Sequence, residues 1–362
     1  MLELPIETIL RPASPPALRA GETIGHSRDG RAIHAFVMGR GRWRVSLIGG
    51  CHADEPVGPS MLRLLAVYLD YLAAEHPLLD EIQWWIVPDV NPDGAQRNAS
   101  WADSTLAAED HSGELDLAYD PALFVRHVVR ELPGDDIEFG FPREPSDSQA
   151  RPENRAVAEF LSTAGTFHLH GSFHGMGLAP GPWFLIEPDW IDRTVDMRQT
   201  LRNTVENMGY PLFDVDRQGE KGFHRIDEGF CTRPDSRAMR DHFLARGDEE
   251  MAARFRPSSM ELVRGLGGDP LTLVSEMPLF LLPDSPTDPR HPMFKAGTEG
   301  KRRLHQQLRE IAAENSLEEA RAEMIRLGIR AMPIRDQMRL QLAFLQQALD
   351  SVRSAAPLEP PE

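Results

Sequence analysis

His52 and Glu55 stand three residues apart at the end of Ser-Leu-Ile-Gly-Gly-Cys-His-Ala-Asp-Glu, residues 46–55. An imidazole nitrogen and a carboxylate oxygen at that spacing suit Zn²⁺, with a third ligand supplied from elsewhere and a fourth position left to water. A His-x-x-Glu pair alone is common on solvated helix faces, so its weight depends on whether other parts of such a centre exist. The chain supplies them. His168 and His170 lie in Thr-Phe-His-Leu-His, Glu276 closes Leu-Thr-Leu-Val-Ser-Glu, and Arg97-Asn98 follows Asn-Pro-Asp-Gly at 91–94. A hydrolytic zinc site needs three protein ligands, an open position, a carboxylate base and a cation for the developing oxyanion. His52, Glu55 and His170 fill the ligand roles, Glu276 the base, and Arg97 the cation. Cys51 adjoins His52, but neighbours in an extended segment point to opposite faces, so it reads as a small buried thiol.

The elements that must position these residues follow from periodicity. Residues 33–38 and 44–48, separated by Gly39-Arg40-Gly41, read as a hairpin leading into the Gly49-Gly50 turn. Met61, Leu64, Leu65, Tyr68 and Leu72 recur at helical spacing, so an amphipathic helix follows the His/Glu pair. Residues 82–87 form an apolar strand ending in a Pro- and Gly-containing loop at 88–94. Residues 152–164 read as a helix feeding a strand over 166–170, whose period-two alternation puts His168 and His170 on one face. Residues 271–276 are a further strand. Strand ends are where open α/β sheets place their sites. After a Pro-rich linker at 282–292 the chain turns helical, with one stripe at Leu304, Leu308 and Ile311 and another at Met338, Leu342, Leu345, Leu349 and Val352. These stripes read first as packing onto the main domain; they also offer a surface for self-association. The division expected is a catalytic domain over 1–292 and a helical extension with a disordered tail over 293–362.

A chain of 362 residues can bury one large α/β core with a modest extension. Its 41% hydrophobic and 26% charged content is that of a globular protein. Thirty-nine basic against 56 acidic residues, net charge -17, argue against nucleic acid or an anionic membrane as partner, since both recruit clustered Lys and Arg. The start of the chain lacks the charged and apolar regions of a signal peptide, and no apolar run is long enough to span a bilayer. Two cysteines make no C-x-x-C and no disulfide framework. The expected location is cytoplasmic. The acidic, irregular stretch 103–120 reads as a solvated loop, with pocket lining as the second reading.

Taken together, Gly-Gly-Cys-His-Ala-Asp-Glu-Pro, Val-Asn-Pro-Asp-Gly-Ala-Gln-Arg-Asn, His-Leu-His-Gly-Ser and Thr-Leu-Val-Ser-Glu resemble, in that order, the motifs of the zinc carboxypeptidase family. The resemblance runs from about Gly49 to Pro278 and implies a central mixed sheet of about eight strands between helices. It implies one zinc ion on His52, Glu55 and His170, Glu276 as general base, Arg97 as oxyanion stabiliser, and a peptide or small amide as substrate. It does not cover the C-terminal helices.

Three departures from the family pattern stand out. Relatives carry Asp-Leu-Asn-Arg-Asn-Phe-Pro, whose Asn and Arg grip the substrate's free carboxylate. Here the aligned residues are Asp136-Ile137-Glu138-Phe139-Gly140-Phe141-Pro142, with Glu138 and Phe139 at the gripping positions. Asn98, Arg143 and Glu138 are the candidates for contact with substrate, and Arg225 or Arg233 could supply the missing cation from another loop. No tyrosine suits the family's substrate-capping role, since Tyr210 lies too near the ligand strand. His168 stands where many relatives have Asp or an apolar residue and reads as a group orienting a ligand. The function expected is zinc-assisted hydrolysis of an amide by a metallocarboxypeptidase with altered carboxylate recognition. The alternatives are a zinc deacylase of N-acyl amino acids, resembling aspartoacylase and succinylglutamate desuccinylase, and a relative that binds without catalysis.

Overall fold

The computed structural model describes residues 2–11, 21–283 and 298–355, the side chains of 298–302 excepted. The expected domain boundary after residue 292 and the expected disordered tail lie outside the described residues. In chain order the strands are β1 (Glu22–His26), β2 (Ala32–Met38), β3 (Trp43–Gly49), β4 (Ile82–Val87), β5 (Thr105–Glu109), β6 (Leu115–Tyr119), β7 (Leu169–Ala179), β8 (Trp183–Ile186), β9 (Arg225–Asp227), β10 (Phe230–Thr232), β11 (Leu271–Leu281) and β12 (Arg330–Ala331).

Ten of them make one mixed sheet, ordered β1-β2-β4-β3-β7-β11-β8-β10-β9 with β12 on β11; β5 and β6 form a separate hairpin. The four central strands, β4, β3, β7 and β11, run parallel. Their residues are buried on both faces, as parallel strands require. The helices Val57–Asp70 and Ile334–Ala355 share a core with one face, through Met61, Leu65, Leu340 and Phe344 packed with Leu47, Ile86 and Leu273. The helices Pro152–Thr163 and Ser259–Gly265 cover the other face, where Val157, Leu161 and Val263 pack with Ile48 and Val87.

Two expectations about the elements need correction. β2 and β3 are not a hairpin, because β4 lies between them, antiparallel to β2 and parallel to β3. The linking glycines cross the start of β4: Arg40 N–H donates to Leu79 O at 2.8 Å, Trp43 N–H donates to Glu81 O at 3.1 Å, and a Cβ on Gly41 would run into the Glu81 carbonyl. The acidic stretch is the β5–β6 hairpin, and its acids hold the C-terminal helices. Arg321 donates to Asp120 at 2.6 Å, Arg335 N–H donates to Asp116 at 2.8 Å, and His111 meets Asp336 at 2.8 Å. Among the described residues no helix is long and apolar enough to cross a membrane.

Candidate active site

β3 ends where Gly50 turns the chain with a φ of +78°, a conformation that side-chain-bearing residues rarely adopt. A Cβ there would stand 2.8 Å from Asp89 Oδ1. Past this turn His52 and Glu55 face β7 across the sheet, while the helix Val57–Asp70 begins and its Gly58 packs directly on the Phe173 carbonyl. His52 Nδ1 stands 2.9 Å from Glu55 Oε1 and 3.2 Å from His174 Nδ1, and His174 Nδ1 stands 3.0 Å from Glu55 Oε2. Three donor groups from two elements therefore converge.

Whether a zinc ion fits can be tested on these distances. Two nitrogens each about 2.0 Å from one tetrahedral zinc lie about 3.3 Å apart, close to the observed separation. Glu55 Oε2 is buried without a hydrogen-bond partner, and an acceptor in that state is costly unless something positive meets it. Burial raises the Glu55 pKa, but the two imidazoles outweigh it and hold the carboxyl below its ordinary range; Glu55 in turn lifts His52 to about 9 against its desolvation. The donor set fits zinc. A second grouping, Cys51, Glu138 and His174, uses the other ring nitrogen of the same histidine. Its thiol is buried and pushed up by desolvation, so it stays protonated and makes a poor ligand.

His170, the expected third ligand, is not in the cluster. Its ring nitrogens are taken by Ser46 Oγ at 2.7 Å and Ser259 Oγ at 3.0 Å, deep in the sheet. Burial and the charge of Arg233 push its pKa down to about 3, so it is a neutral core histidine. Alternation put the right face toward the site, but β7 runs on to Ala179, and the residue that reaches His52 comes four positions, about 13 Å, later. In the parallel pairing of β7 with β11, His174 stands opposite Glu276 and His170 opposite Thr272. That register, unavailable from a single strand's pattern, is the signal for His174.

Glu276 shares a cavity of about 340 Å³ with His52, His174 and Glu138. Burial and the neighbouring Glu55 charge raise its pKa, which suits a base poised to take a proton. Arg97 does not reach this centre. It projects from the helix Pro92–Ala102, largely exposed, and pairs with Glu131. The cation beside the cluster is Arg130, with Nη2 3.7 Å from Glu55 Oε1 and Nε 3.8 Å from Asp54. No motif singled it out; its only sequence mark is a place six residues before Asp136.

The remaining expected contacts are placed as follows. Asn98 is a buried clamp whose amide donates to the carbonyls of Ala53 and Val129, both at 2.9 Å, so its hydrogen bonding is spent inside the protein. Arg143 lines a separate, larger cavity of about 710 Å³ between the Pro152–Thr163 helix and β1, which shares no residue with the cluster. Glu138 does lie at the centre, its Oε2 3.2 Å from His174 Nε2. His168 accepts from Arg44 N–H at 3.1 Å and packs edge-on against Trp43, away from the cluster. Tyr210 donates to Asp336 at 2.6 Å and serves the helical end of the chain.

Residues 12–183 match the model of the zinc carboxypeptidase family. Those residues, a little under half of the chain, are similar to that family. That match, with the donor cluster, supports a zinc metallohydrolase with one zinc ion as cofactor. The match spans His52, Glu55, Arg130, Glu138 and His174 and stops short of Glu276, which β11 brings back beside them. Among solved structures, bovine thrombin-activatable fibrinolysis inhibitor is similar at 13% identity and a TM-score of 0.46, covering 97% of this chain and 95% of its own. A metallo-carboxypeptidase of Pseudomonas aeruginosa is similar at 17% identity and 0.45, covering 93% and 66%. Carboxypeptidase A of Helicoverpa armigera follows at 11% and 0.48, covering 92% and 68%. Likeness at that level carries no argument beyond the family match.

Proposed function

We propose that this chain is a metallocarboxypeptidase in which His52, Glu55 and His174 hold the zinc ion and Glu276 is the base. The observation that carries the reading is the convergence of two Nδ1 atoms and the Glu55 carboxylate, with both histidines lining one cavity with Glu276. Zinc, when bound, polarises the scissile carbonyl and makes water a nucleophile near neutral pH. The protein's own groups do the rest. Glu276, its pKa raised by burial, takes the proton of the attacking water and returns it to the leaving amine. Arg130, loosely held and partly exposed, meets the charge that develops on the carbonyl oxygen. His174 Nε2 is engaged by Ser172 Oγ at 2.7 Å, with Glu138 Oε2 3.2 Å away, which leaves Nδ1 of that ring as the nitrogen that would hold the metal. Asp136, which burial pushes up to about 6, lies where the His52 charge acts on it and supports that ring.

Mass spectrometry of a peptide set with free and amidated C-termini, incubated with zinc-loaded protein, tests the reading. Loss of single C-terminal residues from the free forms alone is expected. Cleavage indifferent to amidation would remove the carboxypeptidase assignment, and release of acyl groups from N-acyl amino acids without peptide cleavage would replace it with a deacylase.

A further inference from the structure

The family's grip on the terminal carboxylate is absent from its usual place, where Glu138 faces His174 and Phe139 is buried. The arginines of the neighbouring loops are engaged elsewhere. Arg225 is paired with Asp214 at 2.7 Å, Arg233 is buried on Glu187 at 2.6 Å, and Arg143 lines the other cavity. Arg130 stands over the cluster itself. One cation of the catalytic cavity is left, Lys221, and among the described residues it has no hydrogen bond and no ion pair.

We propose that Lys221 receives the terminal carboxylate of the substrate, and that the wall leading to it takes an apolar or aromatic terminal side chain. This rests on the carboxypeptidase reading above. The wall starts at the position the family gives to arginine. Phe139 packs on Phe255 with ring centres 5.4 Å apart, Phe255 stacks on Phe243 at 5.4 Å, and Lys221 Nζ stands 5.3 Å from the Phe243 ring. A continuous aromatic surface thus runs from beside the cluster to an unpaired ammonium. The same cavity is lined by Glu131, Asp136, Glu138 and Glu276, which repel an anion, so a carboxylate entering it is drawn to a cation such as Lys221.

The backbone supports a specified role for this lysine. Lys221 is left-handed at φ 58°, one of two non-glycine residues with positive φ among the described residues, and such positions persist only where the surroundings impose them. The surroundings are visible: Gly219 N–H donates to Phe223 O at 3.0 Å, and Thr232 Oγ1 donates to Gly222 O at 2.9 Å.

Calorimetric titration of the zinc-loaded full chain with 3-phenylpropanoate and with 3-phenylpropan-1-ol tests this without any hydrolysis. The two ligands share a ring and a length and differ in the carboxylate. The wild type should favour the acid, and Lys221→Met should lower acid affinity about 10- to 100-fold, the size of a lost charge-assisted contact, with alcohol affinity unchanged. Lys221→Arg should restore the preference. An equal acid preference in Lys221→Met, at an unchanged melting temperature, overturns the proposal, as does a wild type indifferent to the carboxylate. Because neither ligand is hydrolysed, failure of the peptidase assay and failure of this titration are read separately.

Discussion

At the scale of single residues, the centre separates the histidines that a strand pattern alone treats alike. His174→Ala should abolish tight zinc binding, whereas His170→Ala should keep one equivalent of zinc and lose stability through the orphaned Ser46 and Ser259 hydroxyls. Metal analysis after dialysis checks both, and zinc retained by His174→Ala would refute the ligand set. Glu276→Gln should hold zinc and lose most turnover; a near-normal kcat would remove it as base. Zinc affinity should also depend on pH with a known sign. Glu55 raises His52 to about 9 in the metal-free protein, so protons compete with zinc below that value and affinity should climb from pH 6 toward 9. Competition with a chromophoric chelator across that range would show it, and a flat profile would contradict it. His52 and Glu55 were legible because they follow the Gly49-Gly50 turn; Glu276 was read as a strand end, although β11 runs on to Leu281 and places it mid-strand. His174 and Arg130 were not, because what selects them is strand register and a loop's path in space.

At the scale of elements, the apolar stripes of the C-terminal helices did predict burial, and the structure gives their partners. Phe344 is fully buried and meets Phe184 of β8 at 4.8 Å between ring centres. Gln341 donates to the backbone carbonyl of His174 at 3.3 Å. The terminal helix therefore lies beneath β7 as part of the same core. Phe344→Ala should cost about 3–5 kcal/mol, read as a lower urea midpoint in a single transition; two separated transitions would show the helix folding apart. The acidic stretch misled for a physical reason. Its charges looked solvated because their partners, Arg321, Arg335 and Arg339, lie more than two hundred residues on.

At the scale of the whole molecule, a net charge of -17 surrounds a cleft that carries carboxylates of its own. Peptides with basic residues upstream of the cut should arrive faster than acidic ones, with the difference in kcat/KM shrinking as salt rises from about 20 to 300 mM and the Debye length contracts. An unchanged ratio would show that the field plays no part.

The division of labour between β7–β11 and the turn at 217–223 has a practical side. His174 and Glu276, the proposed ligand and base, are neighbours on a backbone ladder that no loop exchange disturbs, while Lys221 rides on a short, exchangeable turn. Libraries randomised over that turn alone would therefore vary the proposed carboxylate contact while leaving the proposed ligand and base in place.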